Sequence, residues 1–171
     1  MMYWIVATPM FAVILFIGIF SFWNLYAIVR GAPFVPSAKK RVDAMIAIAG
    51  LQQTDVLLDL GSGDGRIVRR VAPRVKEARG IEINPSLALW SKGMNVLLCK
   101  KNVHIHCADF WNYDIADVDV LFVYCIDSKM NRLEAKIRKE MKPGSRVVSN
   151  GFTFPAWHPT KELNGVRLYV V

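Results

Sequence analysis

Charge is missing from one end of this chain. Residues 1–29 contain no Asp, Glu, Lys or Arg, and the first charged side chain is Arg30. All 22 Lys and Arg and all 14 Asp and Glu therefore lie beyond that point, and the net charge of +8 belongs to the remainder. Cysteine is scarce and odd in number: Cys99, Cys107 and Cys125 are scattered, which excludes a disulfide framework. There is no Gly-Lys-Ser/Thr run, which excludes a phosphate-binding P-loop. The dinucleotide fingerprint Gly-x-Gly-x-x-Gly is also incomplete. Gly61 and Gly63 fit it, but its third position is Arg66 and the glycine falls one residue early, at Gly65. A zinc cluster is disfavoured too. His104 and His106 alternate onto one face of a strand and Cys107 onto the other, with no second cluster to complete a site.

What replaces charge at the start is a long apolar run, Phe11-Ala12-Val13-Ile14-Leu15-Phe16-Ile17-Gly18-Ile19-Phe20 within a wholly uncharged segment. A membrane-spanning helix needs about 20 apolar residues, so residues 1–29 are expected to form a transmembrane anchor. A secretory signal peptide would carry a basic start and a shorter apolar core, and neither is present. Tyr3 and Trp4 at one end and Trp23 and Tyr26 at the other sit where interfacial aromatics belong. Arg30, Lys39, Lys40 and Arg41 follow the run, so the positive-inside rule places the rest of the chain on the cytoplasmic side. The scattered basic residues fit an anionic bilayer surface better than nucleic acid, because they lack interleaved aromatics. Residues 30–36 then form a linker stiffened by Pro33 and Pro36, with Ser37 placed to cap the following helix.

From residue 37 to 171, apolar runs and amphipathic stretches alternate. A helix is expected over 38–50, ending at Gly50, then strands at 55–59, 77–83, 103–107, 117–124, 145–152 and 166–171. Helices fall between them at 64–72, from Pro85 to about Cys99, and over 128–141, where Met130, Leu133, Ile137 and Met141 share a face. This order predicts a mostly parallel sheet covered on both faces, with ligands at the carboxyl ends of the strands. Six strands at most are legible, with an abbreviated C-terminal part.

The centre of the chain is Asp59-Leu60-Gly61-Ser62-Gly63-Asp64-Gly65-Arg66, between a buried strand and a helix. Glycines there let a ligand approach the backbone, and the helix start turns free N–H groups toward it. Glu82 ends the second strand about 20 residues on, where a carboxylate accepts from ribose hydroxyls in nucleotide-type crevices. Asp109 follows the third strand in Cys107-Ala108-Asp109-Phe110-Trp111. This acidic-x-Gly-x-Gly-x-Gly pattern, with carboxylates at three successive strand ends, resembles class I S-adenosylmethionine-dependent methyltransferases. The resemblance implies a Rossmann-like fold. In it Phe34, Asp59, Gly61, Ser62, Gly63, Gly65, Glu82 and Asn84 would hold the cofactor, Asp109 would receive the adenine amino group, and Phe110 or Trp111 would pack on the ring. The ligand's cationic amino group and sulfonium suit an acidic neighbour.

Pro33-Phe34-Val35-Pro36-Ser37, the glycine motif, Glu82-Ile83-Asn84-Pro85 and Phe152-Thr153-Phe154-Pro155-Ala156-Trp157 together resemble a narrower family. These are single-pass, membrane-anchored protein-lysine methyltransferases whose eukaryotic members act on mitochondrial inner-membrane proteins, the ATP synthase c-subunit and adenine nucleotide translocase. The resemblance implies S-adenosyl-L-methionine as cofactor and a lysine of a membrane-embedded protein as acceptor. Methylation of a lipid or small molecule, or a non-catalytic cofactor-binding scaffold, remains an alternative. Phe152, Phe154 and Trp157, with Phe34 opposite, are candidates for an aromatic substrate channel or for ordinary core. Tyr124-Cys125-Ile126-Asp127-Ser128 matches no known catalytic tetrapeptide, and the Asn/Asp-Pro-Pro-Tyr/Phe motif of adenine and glutamine methylation is absent. The absence of an Arg- and Ser-rich transit peptide leaves a prokaryotic or other cellular membrane at least as open as the mitochondrial one.

Overall fold

A computed structural model describes residues 2–30 and 35–171, without the side chains of 2–6, 24, 27, 28 and 30. Helix α1 runs over Met2–Arg30 and α2 over Lys39–Ala49. Strand β1 (Val56–Leu60), helix α3 (Arg66–Val71), β2 (Glu77–Glu82), α4 (Pro85–Leu97) and β3 (Val103–Cys107) follow. Then come β4 (Val120–Val123), α5 (Asp127–Glu140), β5 (Arg146–Asn150), β6 (Lys161–Leu163) and β7 (Val166–Val170).

The sheet has seven strands in the order β3-β2-β1-β4-β5-β7-β6, not six. The strand that sequence reasoning missed is β6. It has three residues, all exposed, and sits at the sheet edge, so it carries no apolar alternation to read. β1 to β5 run parallel to one another, while β7 runs antiparallel to β5 and β6. The strand order reverses between β1 and β4, which opens a crevice at their carboxyl ends.

Strand pleating divides the core in two. Leu57, Phe122 and Val148 point to one side, where they join Met45 and Ile48 of α2, Val68 of α3 and Ala88 of α4. Leu58, Leu121 and Val147 point to the other, against Met130, Leu133 and Ile137 of α5. β1 and β4 are buried along their whole length, as central parallel strands covered on both faces must be. The expected α5 stripe is thus the face that packs.

Local chemistry sets the ends. Gly50 closes α2 in the left-handed region, at φ 58°. Ala38, not Ser37, is the α2 N-cap, and no side chain bonds there. The Ser37 hydroxyl instead accepts from Asn150 Nδ2 at 3.1 Å, tying the connector to the end of β5. Asn84 caps α4 by accepting the Ser86 amide at 3.0 Å, with Pro85 in the first turn.

The transmembrane expectation for residues 1–29 is not met as stated: among the described residues no helix is long and apolar enough to cross a membrane. Residues 31–34 of the expected linker, including Phe34, lie outside the described residues.

Candidate active site

The glycine turn is fastened to β2 before any ligand is considered. The amides of Gly61 and Ser62 both donate to the Ile81 carbonyl at 2.9 Å. Gly61, Gly63 and Gly65 have φ of 76°, 55° and 76°, a region that disfavours any side chain. A Cβ on Gly61 would meet nothing within 4 Å, so that residue borders open space. A Cβ on Gly65 would lie 1.9 Å from Ser91 Oγ, so there the glycine lets α4 pack against the turn.

The crevice above the turn has a volume of ≈ 1060 Å³, open mouth included. Asp59, Gly61, Ser62, Glu82, Asn84, Asp109 and Phe110 all border it, so the structure gathers residues spread over 50 positions of sequence into one wall. Gly63 and Gly65 shape the turn beneath. Met45 of α2, Val35 to Ser37, and Tyr124 and Cys125 just after β4 also border it.

Within this wall the carboxylates differ. Glu82 is buried and doubly engaged: Oε2 accepts the Gly63 amide and Oε1 the Asn84 amide, each at 2.8 Å. Burial still raises its pKa, against the pull of those amides. Asp59 is buried at the end of β1, and its Oδ2 has no hydrogen-bond partner among the described residues. Burial, then the nearby charges of Glu82 and Asp64, push its carboxyl up to about 8. Asp109 Oδ1 accepts the Trp111 amide at 3.0 Å, which aims the turn after β3 into the crevice. Of the two aromatics beside it, Phe110 borders the crevice. Trp111 is core, under the Arg132 guanidinium at 4.0 Å.

The aromatic segment after β5 divides as well. Phe154 is 2% exposed and packs with Trp157 and Tyr169 at centroid distances of 5.3 and 4.9 Å, on the α5 side of the sheet. Neither Phe154 nor Trp157 borders the crevice. Phe152 stacks on Tyr124 at 5.9 Å and lines a smaller hollow with Pro36, Ser37, Arg41 and Asn150. Tyr124, Pro36 and Ser37 border both spaces, so the hollow adjoins the crevice. Tyr124, Arg41 and Asn150 have no local sequence signal, because they come from three separate elements. Among the described residues, no group of three or more His, Cys, Asp or Glu is placed to hold a metal.

The site fits a cationic adenosyl ligand on its own evidence. A buried, partnerless carboxylate at Asp59 lacks a cation, Ser62 Oγ and Asn84 Nδ2 are buried without partners among the described residues, and Gly61 leaves room beside them. Fold and site together define a class I S-adenosylmethionine-dependent methyltransferase. S-adenosylmethionine supplies the electrophilic methyl group; the protein's part is to hold it and exclude water.

The comparisons with known proteins agree. The model of the ANTKMT methyltransferase domain matches residues 59–161, and the chain belongs to that family. A protein-lysine N-methyltransferase of Saccharolobus islandicus (strain REY15A) is 36% identical over 152 residues, covering 81% of this chain and 93% of that protein. The adenine nucleotide translocase lysine N-methyltransferase of Mus musculus is 31% identical over 134 residues, 74% of this chain. The match spans only 56% of that longer protein. A solved RNA methyltransferase from Salinibacter ruber, in complex with S-adenosyl-L-homocysteine, superposes with a TM-score of 0.72 at 35% identity, covering 80% of this chain and 92% of that one.

Proposed function

We propose that this methyltransferase transfers the methyl group of S-adenosylmethionine to the side-chain amine of a lysine in a protein, and that the protein is membrane-embedded. The observation that carries the reading is the aromatic hollow beside the cofactor crevice, walled by Tyr124 and Phe152 and sharing Tyr124 with it. A lysine presents a long alkyl stem and a small nitrogen, which suits a narrow aromatic passage. Lysine must arrive as the neutral amine to attack the methyl group. Desolvation against the ring surfaces, with the Arg41 guanidinium at the same hollow, disfavours the ammonium form. The names of the Saccharolobus and mouse relatives, both lysine N-methyltransferases, support the same acceptor.

The membrane part rests on α1, 29 residues long with no charged side chain before Arg30, and on the basic residues that follow it. In this reading residues 1–29 anchor the chain, 30–36 link, and the domain of 37–171 works at the cytoplasmic surface; in a eukaryote, the mitochondrial inner membrane is a candidate. The test is to incubate the full chain with methyl-labelled cofactor, membranes and total RNA. Label in a protein, placed on lysine by mass spectrometry, supports the reading. Label in RNA, the substrate class of the Salinibacter neighbour, or in the lipid extract replaces it, and no label despite cofactor binding indicates a scaffold.

A further inference from the structure

Helix α4 is inside out. Beside the small apolar Ala88, its inner face is polar: Ser91 and Asn95 are buried, and both accept from Arg69 Nη1 of α3 at 3.4 Å. Its outer face is apolar, with Leu89 73%, Trp90 60%, Val96 80% and Leu97 72% exposed. Positions 89, 93, 96 and 97 with 90 and 94 form one stripe at helical spacing. A helix in a water-bathed α/β domain carries the opposite arrangement, and a contiguous exposed apolar face of this kind marks an interaction surface.

The occupant is indicated by charge and by position. Residues 83–108 contain no Asp or Glu, while Lys92, Lys100 and Lys101 flank the stripe. Trp90 adds an amphipathic ring of the type enriched at lipid headgroups. Apolar side chains of α1 continue the surface: Phe16 and Phe20 border one hollow with Leu89, Trp90, Met94 and Leu97. The α4 side chains remain largely exposed even with α1 beside them, so α1 does not cover the stripe. We infer that the outer face of α4 lies in the surface of an anionic phospholipid bilayer, as a second membrane contact independent of whether α1 crosses. Lysines around an acid-free apolar stripe are the complement of such a surface. Because Leu87, Asp64 and Arg66 border both this hollow and the cofactor crevice, the contact would hold the crevice mouth near the headgroups. This deepens the membrane reading above and rests on it.

The test places a nitroxide at Leu97→Cys in the full chain, with Cys99→Ser and Cys107→Ser and the buried Cys125 retained. Lys139→Cys, exposed on α5 across the sheet, is the control. Each preparation is first checked for S-adenosylhomocysteine binding and then joined to vesicles of phosphatidylcholine with or without phosphatidylserine. The expected result is an oxygen-to-nickel-complex collision ratio at position 97 several-fold above that at 139, increased by phosphatidylserine. Equal ratios at the two positions overturn the inference. So does a ratio at 97 indifferent to lipid, which indicates cover by α1 or a protein partner, and so does dipolar broadening, which indicates a second copy of the chain. Lysine methylation is assayed separately on the same samples, so failure of the proposed function leaves this readout intact.

Discussion

Glu82 Oε2 sits 2.8 Å from the amide nitrogen of Gly63, and through that bond the end of β2 holds the glycine turn in shape. The other carboxylate oxygen holds Asn84, so one side chain sets both backbone segments that border the crevice. A residue read in sequence as a ribose acceptor is also a clasp.

Glu82→Ala is therefore expected to cost stability in the ligand-free protein as well as cofactor affinity. It strands two amides, at about 1–3 kcal/mol for each buried donor left unsatisfied. Thermal melting without ligand measures this. Cofactor affinity lowered with an unchanged melt would assign Glu82 to the ligand alone.

Asp59 links binding to protons. Its folded pKa is about 8 against about 3.9 in an unfolded chain. Its contribution to ligand-free stability is therefore full below about pH 4 and is lost as pH rises through about 8. At pH 7 the free protein holds that proton, and a cation bound beside Asp59 expels it. Calorimetry at pH 7 in buffers of different ionisation enthalpy should show close to one proton released per S-adenosylmethionine, with affinity increasing toward pH 8. Asp59→Asn should abolish the release and weaken binding by at least about tenfold, or roughly 1.4 kcal/mol.

Gly80 lies inside β2, where sequence gives it no role. A Cβ there would stand 2.5 Å from Ser62 Oγ and 2.8 Å from Ile105 Cδ1. Gly80→Ala should displace Ser62 and with it the turn, costing about 1–3 kcal/mol by overpacking and reducing S-adenosylhomocysteine affinity. Unchanged affinity, measured by titration of a variant that melts lower, would show that the turn absorbs the methyl group.

The aromatic residues should separate by role. Phe152→Ala is expected to lower methyl transfer to the protein acceptor while leaving cofactor affinity near its starting value, whereas Tyr124→Ala should lower both, because Tyr124 borders both spaces. Phe154→Ala should instead lower unfolding free energy by about 3–5 kcal/mol, as for a large side chain removed from a core. Denaturant melts and acceptor kinetics on the three variants distinguish these outcomes.

Arg146 offers a test away from the site. Its Nη2 lies 2.6 Å from Oδ1 of buried Asp55, and its Nη1 donates to the carbonyls of Ala49 and Gly50 at the end of α2. Arg146→Met should cost about 3 kcal/mol, because Asp55 keeps a buried charge without its partner. A denaturant melt within experimental error of wild type would show that water replaces the guanidinium.

Much of this was legible in sequence because it is local. Apolar runs of strand length mark β1 and β4, since a strand buried on both faces has no polar position to interrupt it, and the alternation of buried Val103 and Ile105 with exposed His104 and His106 marks β3. The three glycines and three carboxylates are readable because a tight turn and a strand end constrain residue type within a few positions. Tertiary structure alone decided the rest. It made Ser37 a partner of Asn150 rather than a helix cap and sent Phe154 to the core and Phe152 to the hollow. It also added a seventh strand too short and too exposed to show a pattern. It turned the apolar side of α4 outward, because the buried polar side was already claimed by Arg69. These outcomes depend on which distant element arrives opposite a side chain, and that is fixed by the order of the strands, which hydrophobic periodicity does not encode.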